Sequence, residues 1–258
     1  MSTPADASAH VSLEGISLSF GRRQVMHDLS ASFPRGEISV VMGGSGSGKS
    51  TMLRLIAGLT RPDAGSIQVG GEETTGLSED GLSRVRQHIG MLFQNGALLD
   101  SMSIFANVAL PLVERTKLGR EEIAGKVHTR LEAVGLEDVD DLLPGELSGG
   151  MLKRAALARA TINEPDILLA DEPFSGLDPP NVLRIEALLT RLSKDLGLTV
   201  IMSSHHVASS VRMAARLVVL LEDAVVSGSP TELLEHEDSR VADFLEEELI
   251  HPEAPAHG

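Results

Sequence analysis

The chain has 258 residues, of which 42% are hydrophobic and 23% charged, which suits one or two packed domains and excludes a wholly disordered chain. Its 22 basic and 37 acidic residues give a formal net charge of -15, which argues against a nucleic-acid partner. The lack of cysteine excludes disulfides, thiolate metal sites and cysteine nucleophiles. With neither a secretory signal nor an apolar run of about 18 residues, we expect a soluble cytoplasmic protein.

Short apolar runs alternate with helical patterns, which predicts an α/β protein with a largely parallel sheet. Residues 38–42, 167–170 and 199–202 form continuous apolar runs, typical of strands covered on both faces. Residues 217–221 and 224–226, separated by two acidic residues, predict a hairpin. Helical spacing over 123–134 and 182–196 predicts two helices that end at Gly135 and Gly197.

The stretch 95–163 has helix signals but few strand signals, and we interpret it as a helical insertion within the α/β core. The first ten residues and the tail 251–258 are rich in Pro, Ala and His, so we expect both to be frayed. The folded domain is therefore predicted to span 11–245.

Residues 43–50, GGSGSGKS, match the phosphate-loop pattern G-x-x-x-x-G-K-[ST]. An apolar strand precedes the pattern and a helix follows it, which disfavours the alternative of a flexible Gly/Ser turn. The glycines allow backbone N–H groups to converge on phosphate oxygens at a helix N-terminus. Lys49 is then expected to reach the β- and γ-phosphates, and the Ser50 hydroxyl to ligate Mg²⁺.

Two acids, Asp171 and Glu172, directly follow the apolar run 167–170. A buried parallel strand delivers its carboxyl end to the crevice where α/β sheets bind ligands. Asp171 is expected to hold Mg²⁺, and Glu172 to orient and deprotonate an attacking water. Taken alone, a solvated acidic turn is the better interpretation, but the phosphate loop reverses that preference.

The segment 147–151, LSGGM, opens another helical pattern. Ser148 by itself is typical of an N-cap. The two glycines that follow leave backbone N–H groups pointing outward, which suits an anion.

The ordered set GGSGSGKST, Gln94, LSGGM, ILLADEP, SGLD and His205 resembles the ATP-binding-cassette ATPases over 13–245. The resemblance implies a P-loop core with a mostly parallel sheet, an N-terminal antiparallel β subdomain and an inserted α-helical subdomain. It also implies a head-to-tail homodimer that sandwiches two ATP molecules with Mg²⁺. The nucleotide-binding residues it implies are Phe20, Gly43, Gly44, Ser45, Gly46, Ser47, Gly48, Lys49, Ser50 and Thr51.

The same resemblance implies roles for residues outside the loop. Phe20 would stack on adenine, although a core Phe is the alternative, and Gln94 would sense Mg²⁺ and the γ-phosphate. His205 would hold the γ-phosphate and water, with His206 the less favoured candidate. Ser148, Gly149 and Gly150 would contact the γ-phosphate of the ATP that the other subunit holds. Asp178 would lie at the contact between the two subunits.

Three departures from the family pattern stand out. Gly44 replaces a usual Pro, Met151 replaces a Gln at the end of the signature, and His206 replaces an acid. Met151 removes any hydrogen bond that the amide would make, and His206 alters the charge beside the predicted switch histidine.

The LSGGM signature, the following KRAALARA and the segment GMLFQNGALLDSMSIFANVALPL resemble the ATPase subunits of the Mla phospholipid transport systems, the lipid branch associated with MCE-domain proteins. This resemblance implies a membrane permease, an MCE-domain protein, a small STAS-like subunit and a peripheral position on the cytoplasmic side of the inner membrane. The alternatives are an importer ATPase for a polar solute, a soluble non-transport cassette ATPase and a small-molecule kinase. The kinase leaves the signature and Asp178 unexplained.

Apolar residues between Gln94 and Val113 exceed what one amphipathic helix stripe requires. They are expected either to form a groove for a permease helix or to belong wholly to the core of the helical insertion. The residues concerned are Leu98, Leu99, Met102, Ile104, Phe105 and Val108.

Overall fold

The computed structural model describes residues 9–250. Its strands are β1 (Ala9–Phe20), β2 (Arg23–Pro34), β3 (Ile38–Gly43), β4 (Ala64–Val69), β5 (Glu72–Glu73), β6 (Ile89–Leu92), β7 (Ile167–Asp171), β8 (Thr199–Ser203), β9 (Arg216–Leu220) and β10 (Val225–Gly228). Its α-helices are α1 (Lys49–Ile56), α2 (Glu79–Val85), α3 (Ile104–Arg115), α4 (Arg120–Ala133), α5 (Gly149–Thr161), α6 (Pro179–Leu196), α7 (Val207–Met213), α8 (Pro230–Leu234) and α9 (Ser239–Ile250).

The larger sheet has six strands in the order β10-β9-β3-β8-β7-β6. All neighbours are parallel except β9 and β10, which form the predicted hairpin. Every residue of β3, β7 and β8 is buried, because both faces of the sheet pack into apolar cores. The predicted α/β class with a mostly parallel sheet is confirmed.

The two predicted helices are present as α4 and α6. Gly135 follows α4 with φ 69°, and Gly197 follows α6 with φ 62°. Glycine accepts this left-handed conformation without the Cβ penalty, so both helices end where the sequence predicts.

A second, antiparallel sheet has the order β2-β1-β4-β5 and packs its own apolar core against the outer face of the larger sheet. Strand β1 begins at Ala9, because His10 is buried and its Nδ1 lies 2.6 Å from the Thr199 hydroxyl of β8. Residues 9 and 10 of the predicted frayed segment 1–10 therefore belong to the fold. Residues 1–8 and the tail 251–258 lie outside the described residues.

Between β6 and β7 the chain forms α3, α4 and α5, and the whole stretch 95–163, all of it described, contains no strand. Ile104 and Val108 are fully buried in the larger core, while Leu98 and Phe105 are partly buried against it. Leu99 remains 45% exposed, so the apolar surplus there is divided between core and surface. Within residues 9–250 no helix combines the length and hydropathy needed to cross a membrane.

Candidate functional site

The carboxyl ends of three adjacent strands, β3, β8 and β7, meet at one edge of the larger sheet. A cleft of about 870 Å³ opens there, between the phosphate loop, the segment after β7 and the segment after β8. The described residues that line it are Phe20, Arg23, Val25, Ser45, Gly46, Gly48, Lys49, Ser50, Thr51, Gln94, Glu172, Ser175, Gly176, His205 and His206.

The phosphate loop joins β3 to α1. Gly48 precedes the helix with φ 102°, a conformation that L side chains rarely adopt, and the first helical residue is Lys49. The Lys49 ammonium donates to the carbonyl oxygens of Gly43 at 2.8 Å and Gly44 at 3.1 Å. Burial lowers the pKa of Lys49, and the carboxylates of Glu172 and Asp171 oppose that shift. The loop thus presents a cation and a helix N-terminus to the cleft.

Asp171 is buried and is held by two hydroxyl groups. Ser50 Oγ donates to its Oδ1 at 2.8 Å, and Ser203 Oγ donates to the same oxygen at 2.7 Å. Ser203 is the last residue of β8. Because β8 lies between β3 and β7, Ser203 has β3 on one side and β7 on the other. The Ser50 hydroxyl and the Asp171 carboxylate are hard oxygen ligands of the kind that Mg²⁺ prefers, and the structure places them next to each other.

Glu172 is held by its backbone. Its φ of 47° is unusual for a residue other than glycine, and its N–H donates to Ser203 Oγ at 2.9 Å. The carboxyl Oε1 lies 3.1 Å from His205 Nε2. Burial raises the pKa of Glu172, and Lys49 and a backbone hydrogen bond from His205 oppose the rise. A carboxylate with a raised pKa, facing a cleft, has the property of a general base.

Gln94 lies two residues after β6, and its side-chain Nε2 is 3.5 Å from Ser175 Oγ. The backbone carbonyl oxygen of Gln94 accepts a hydrogen bond from the Lys153 ammonium of α5. The same ammonium also donates to the backbone carbonyl oxygen of Glu172 at 3.2 Å. The segments that carry Gln94 and Glu172 are therefore tied to one helix.

Phe20 lies at the end of β1 and is 56% exposed on the cleft wall, which favours a ligand contact over the core alternative. Arg23 stands beside it, at the start of β2, with its Nη2 3.5 Å from the carbonyl oxygen of Gly46. Arg23 thus brings a second cation next to the phosphate loop.

The residues predicted to serve a second subunit lie elsewhere. The described lining of the cleft includes none of Ser148, Gly149, Gly150 and Asp178. Ser148 caps α5 by accepting from the Met151 N–H at 3.3 Å, so the N-cap interpretation is confirmed for its side chain. The N–H groups of Gly149 and Gly150 lie in the first helical turn, where a helix offers them no internal acceptor.

Asp178 caps α6 and holds the Asn181 amide at 2.5 Å. A Cβ on Gly150 would lie 2.5 Å from that amide, so a larger residue there would force the Asn181 side chain to shift. The signature and the SGLD segment are therefore neighbours within one chain and are positioned together.

Two departures from the family pattern have visible consequences. Met151 is partly buried and packs against the core of the larger sheet, so it places an apolar side chain where the family pattern has a Gln. His206 lines the cleft and meets the Phe174 ring edge-on, with centroids 5.6 Å apart.

Three residues at this site carried no recognisable signal in the sequence: Arg23, Lys153 and Ser203. Each one acts through a contact with a residue that is distant in the chain. The only local cue applies to Arg23, a basic residue three positions after Phe20.

A phosphate loop at the end of β3, a carboxylate pair at the end of β7 and a histidine after β8 define a nucleotide-binding P-loop site. The family model described as "ABC transporter" matches residues 26–175. The chain is also 42% identical, over 237 residues, to the Intermembrane phospholipid transport system ATP-binding protein MlaF of Escherichia coli K12, covering 92% of this chain and 88% of that one. The chain therefore belongs to the ABC transporter family.

Two further comparisons agree with this assignment. A relative from Mycobacterium tuberculosis named "Probable ribonucleotide transport ATP-binding protein mkl" is 37% identical over 243 residues, covering 94% of this chain and 68% of that one. The solved post-hydrolysis dimer of the ATP-binding cassette MJ0796, bound to ADP and Pi, matches with a TM-score of 0.77 at 31% identity, covering 84% of this chain and 97% of that chain.

Proposed function

We propose that the chain binds and hydrolyses ATP as the energy-supplying subunit of a transporter that moves phospholipid between membranes and so maintains the lipid asymmetry of the outer membrane. The observation that carries this proposal is the 42% identity with MlaF along 92% of the chain, combined with a cleft lined by the phosphate loop, Glu172 and His205. A polar-solute importer is the second candidate, supported by the 37% identical relative named for ribonucleotide transport.

In this proposal the loop N–H groups and Lys49 hold the β- and γ-phosphates, and Phe20 stacks on adenine. Glu172 accepts a proton from the attacking water, which its raised pKa favours over an exposed carboxylate. His205 lies 3.1 Å from Glu172 and orients the water together with it. Catalysis then consists mainly of positioning and charge neutralisation around an in-line water.

Mg²⁺ fits the donors present. Ser50 and Asp171 place a hydroxyl and a carboxylate oxygen 2.8 Å apart beside the phosphate loop, and Gln94 lines the same cleft. Among the described residues no group of three or more His, Cys, Asp or Glu side chains is placed to hold a metal, which suits an ion completed by phosphates and water. When bound, Mg²⁺ supplies neutralisation of phosphate charge.

We further propose that the second half of the site comes from another copy of this chain. The signature residues and Asp178 lie outside the cleft of their own chain, and the two glycine N–H groups of α5 are available to an anion. The dimeric MJ0796 cassette supports this assembly. ATP then bridges two copies, and hydrolysis requires their closure.

The membrane partner is proposed to dock near the loop between Gln94 and α3. Leu99 is 45% exposed there, and the buried side chain of Asn107 fixes the loop by accepting from the Leu99 N–H at 2.7 Å and donating to the Leu99 and Met102 carbonyl oxygens at 3.0 Å. A preformed loop with an exposed apolar residue suits a permease helix. The chain would then lie peripherally on the cytoplasmic side of the inner membrane, with an MCE-domain protein and a small STAS-like subunit as further partners.

Affinity purification of the tagged chain from detergent-solubilised native membranes tests the transport function. We expect a permease to co-purify with an MCE-domain protein and a STAS-like subunit. Recovery of a permease with a solute-binding protein instead would overturn the lipid assignment in favour of the importer.

A surface variant makes the same experiment specific for the docking loop. Leu99→Asp should lose the permease while it retains ATP binding, because a charge replaces an apolar contact. Leu196→Asp is the matched control, since that leucine at the end of α6 is 52% exposed, and it should retain the permease. Equal loss in both variants would contradict docking at the loop.

A further inference from the structure

A buried lysine on the signature helix contacts two segments of the site at once. Lys153 is only 5% exposed and lies in α5, the helix that begins at the LSGGM signature. The described residues that line the cleft do not include Lys153, so it is not placed to touch a bound nucleotide.

The acceptors of Lys153 are two backbone carbonyls from two different loops. Its ammonium donates to the carbonyl oxygen of Gln94, after β6, and to that of Glu172, after β7, at 3.2 Å. A buried ammonium needs such partners, because leaving a charged donor unpaired is costly. One side chain therefore joins α5 to both segments.

The bond to Glu172 acts on a backbone that needs support. Glu172 has φ 47°, and a residue other than glycine keeps this conformation only where its surroundings enforce it. Ser203 holds its N–H at 2.9 Å, and Lys153 holds its carbonyl oxygen. The two bonds together set the orientation of the peptide groups on either side of the Glu172 side chain.

We infer that Lys153 is a positioning residue for ATP hydrolysis, which fixes the Glu172 and Gln94 segments relative to the signature helix α5. This inference rests on the proposed function, in which Glu172 is the base. A small displacement of a catalytic group slows chemistry without weakening the binding of a substrate that it does not hold. Lys153 is thus expected to affect kcat rather than KM.

The test is steady-state ATPase kinetics and ATP binding of the purified full-length chain carrying Lys153→Met. We expect kcat to fall about 10–100-fold, the range for misplacement of a reacting group, while the Kd for ATP and KM stay within about twofold of the parent. Lys153→Gln retains an N–H donor without the charge and should recover part of the lost kcat. If Lys153→Met does not fold, the same comparison of kcat and KM is made with Lys153→Gln.

Two further variants separate the possible outcomes. Arg191→Met is the control, because that cation on α6 also donates to a backbone carbonyl, that of Ala133, and lies outside the described lining of the cleft, so it should retain the parental kcat. A comparable loss of kcat in Arg191→Met and Lys153→Met, or a parental kcat in Lys153→Met, would overturn the inference. A parental rate in Glu172→Gln would instead overturn the role of Glu172 in the proposed function.

Discussion

Ser203 offers a sharp test of how the site is assembled, because its hydroxyl is fully buried and makes two bonds. It donates to Asp171 Oδ1 at 2.7 Å and accepts from the Glu172 N–H at 2.9 Å. Ser203→Ala removes a hydrogen bond to a charged group, valued at about 1.5–3 kcal/mol, and leaves a buried N–H unpaired, which costs about 1–3 kcal/mol. The two losses overlap because they share one hydroxyl.

We therefore expect the free energy of unfolding to fall by about 3 kcal/mol. In a domain of this size each kcal/mol corresponds to about 2–4 °C, so the melting temperature should drop by about 6–12 °C. Differential scanning calorimetry measures this shift directly. Because Glu172 loses a backbone anchor, kcat for ATP hydrolysis should also fall about 10–100-fold.

Ser39→Ala is the matched control, since Ser39 lies in the neighbouring strand β3 and its hydroxyl is equally buried. That hydroxyl has no hydrogen-bond partner within residues 9–250, so its removal should leave stability unchanged or raise it. A Ser203→Ala variant that melts within about 2 °C of the parent would refute the anchoring argument. If Ser39→Ala were equally destabilised, the loss of stability in Ser203→Ala would be due to the removed side-chain volume and not to the lost hydrogen bonds.

Lys49→Ala should abolish ATP binding measured by calorimetry, because it removes the buried cation of the loop, and an unchanged Kd would contradict the phosphate site. Glu172→Gln should retain ATP binding and slow turnover by about 10²–10⁴-fold, the usual contribution of a general base. In the parent, kcat should decrease as the pH is lowered, because the Glu172 carboxylate is protonated and can no longer act as a base. Burial raises the pKa of Glu172, so this decrease should begin at a higher pH than for an exposed glutamate. A kcat that does not decrease at low pH would refute this prediction. Arg23→Met should raise the Kd for ATP while kcat changes little, since Arg23 stands at the loop and away from Glu172; an unchanged Kd would remove it from the site.

Local patterns predicted the central part of the fold. The runs 38–42, 167–170 and 199–202 are strands, as their mostly apolar composition predicts for strands covered on both faces. The phosphate loop is contiguous in the chain, so strand, loop and helix are recognisable together. The glycines at 135 and 197 end their helices for a reason local to each residue.

The antiparallel sheet had no comparable local signal and was expected only from the family resemblance. Strands β1 and β2 pair with four shifts of register, which interrupt the alternation of apolar and polar residues that marks a half-buried strand. His10 belongs to a terminal segment whose Pro, Ala and His content predicts fraying. Its partner Thr199 is 189 positions away, so nothing near His10 in the sequence indicates burial.

The contacts that hold the site residues in position also join residues that are far apart in the sequence. Ser203 and Glu172 are 31 positions apart, and Lys153 and Gln94 are 59 apart. These pairs meet only because the sheet places β8 between β3 and β7 and because α5 packs behind the cleft. Sequence patterns therefore predicted residues that line the cleft better than the residues that hold those lining residues in position.

In the proposed assembly, two copies of this chain close over ATP to complete one reaction centre. Sedimentation velocity of the Glu172→Gln chain with ATP and Mg²⁺, with and without a second change, Ser148→Arg, measures it directly. We expect a dimer that forms with ATP, dissociates with ADP and is absent when Ser148 is replaced. A chain that stays monomeric with ATP, or a Ser148→Arg chain that dimerises normally, would contradict the claim.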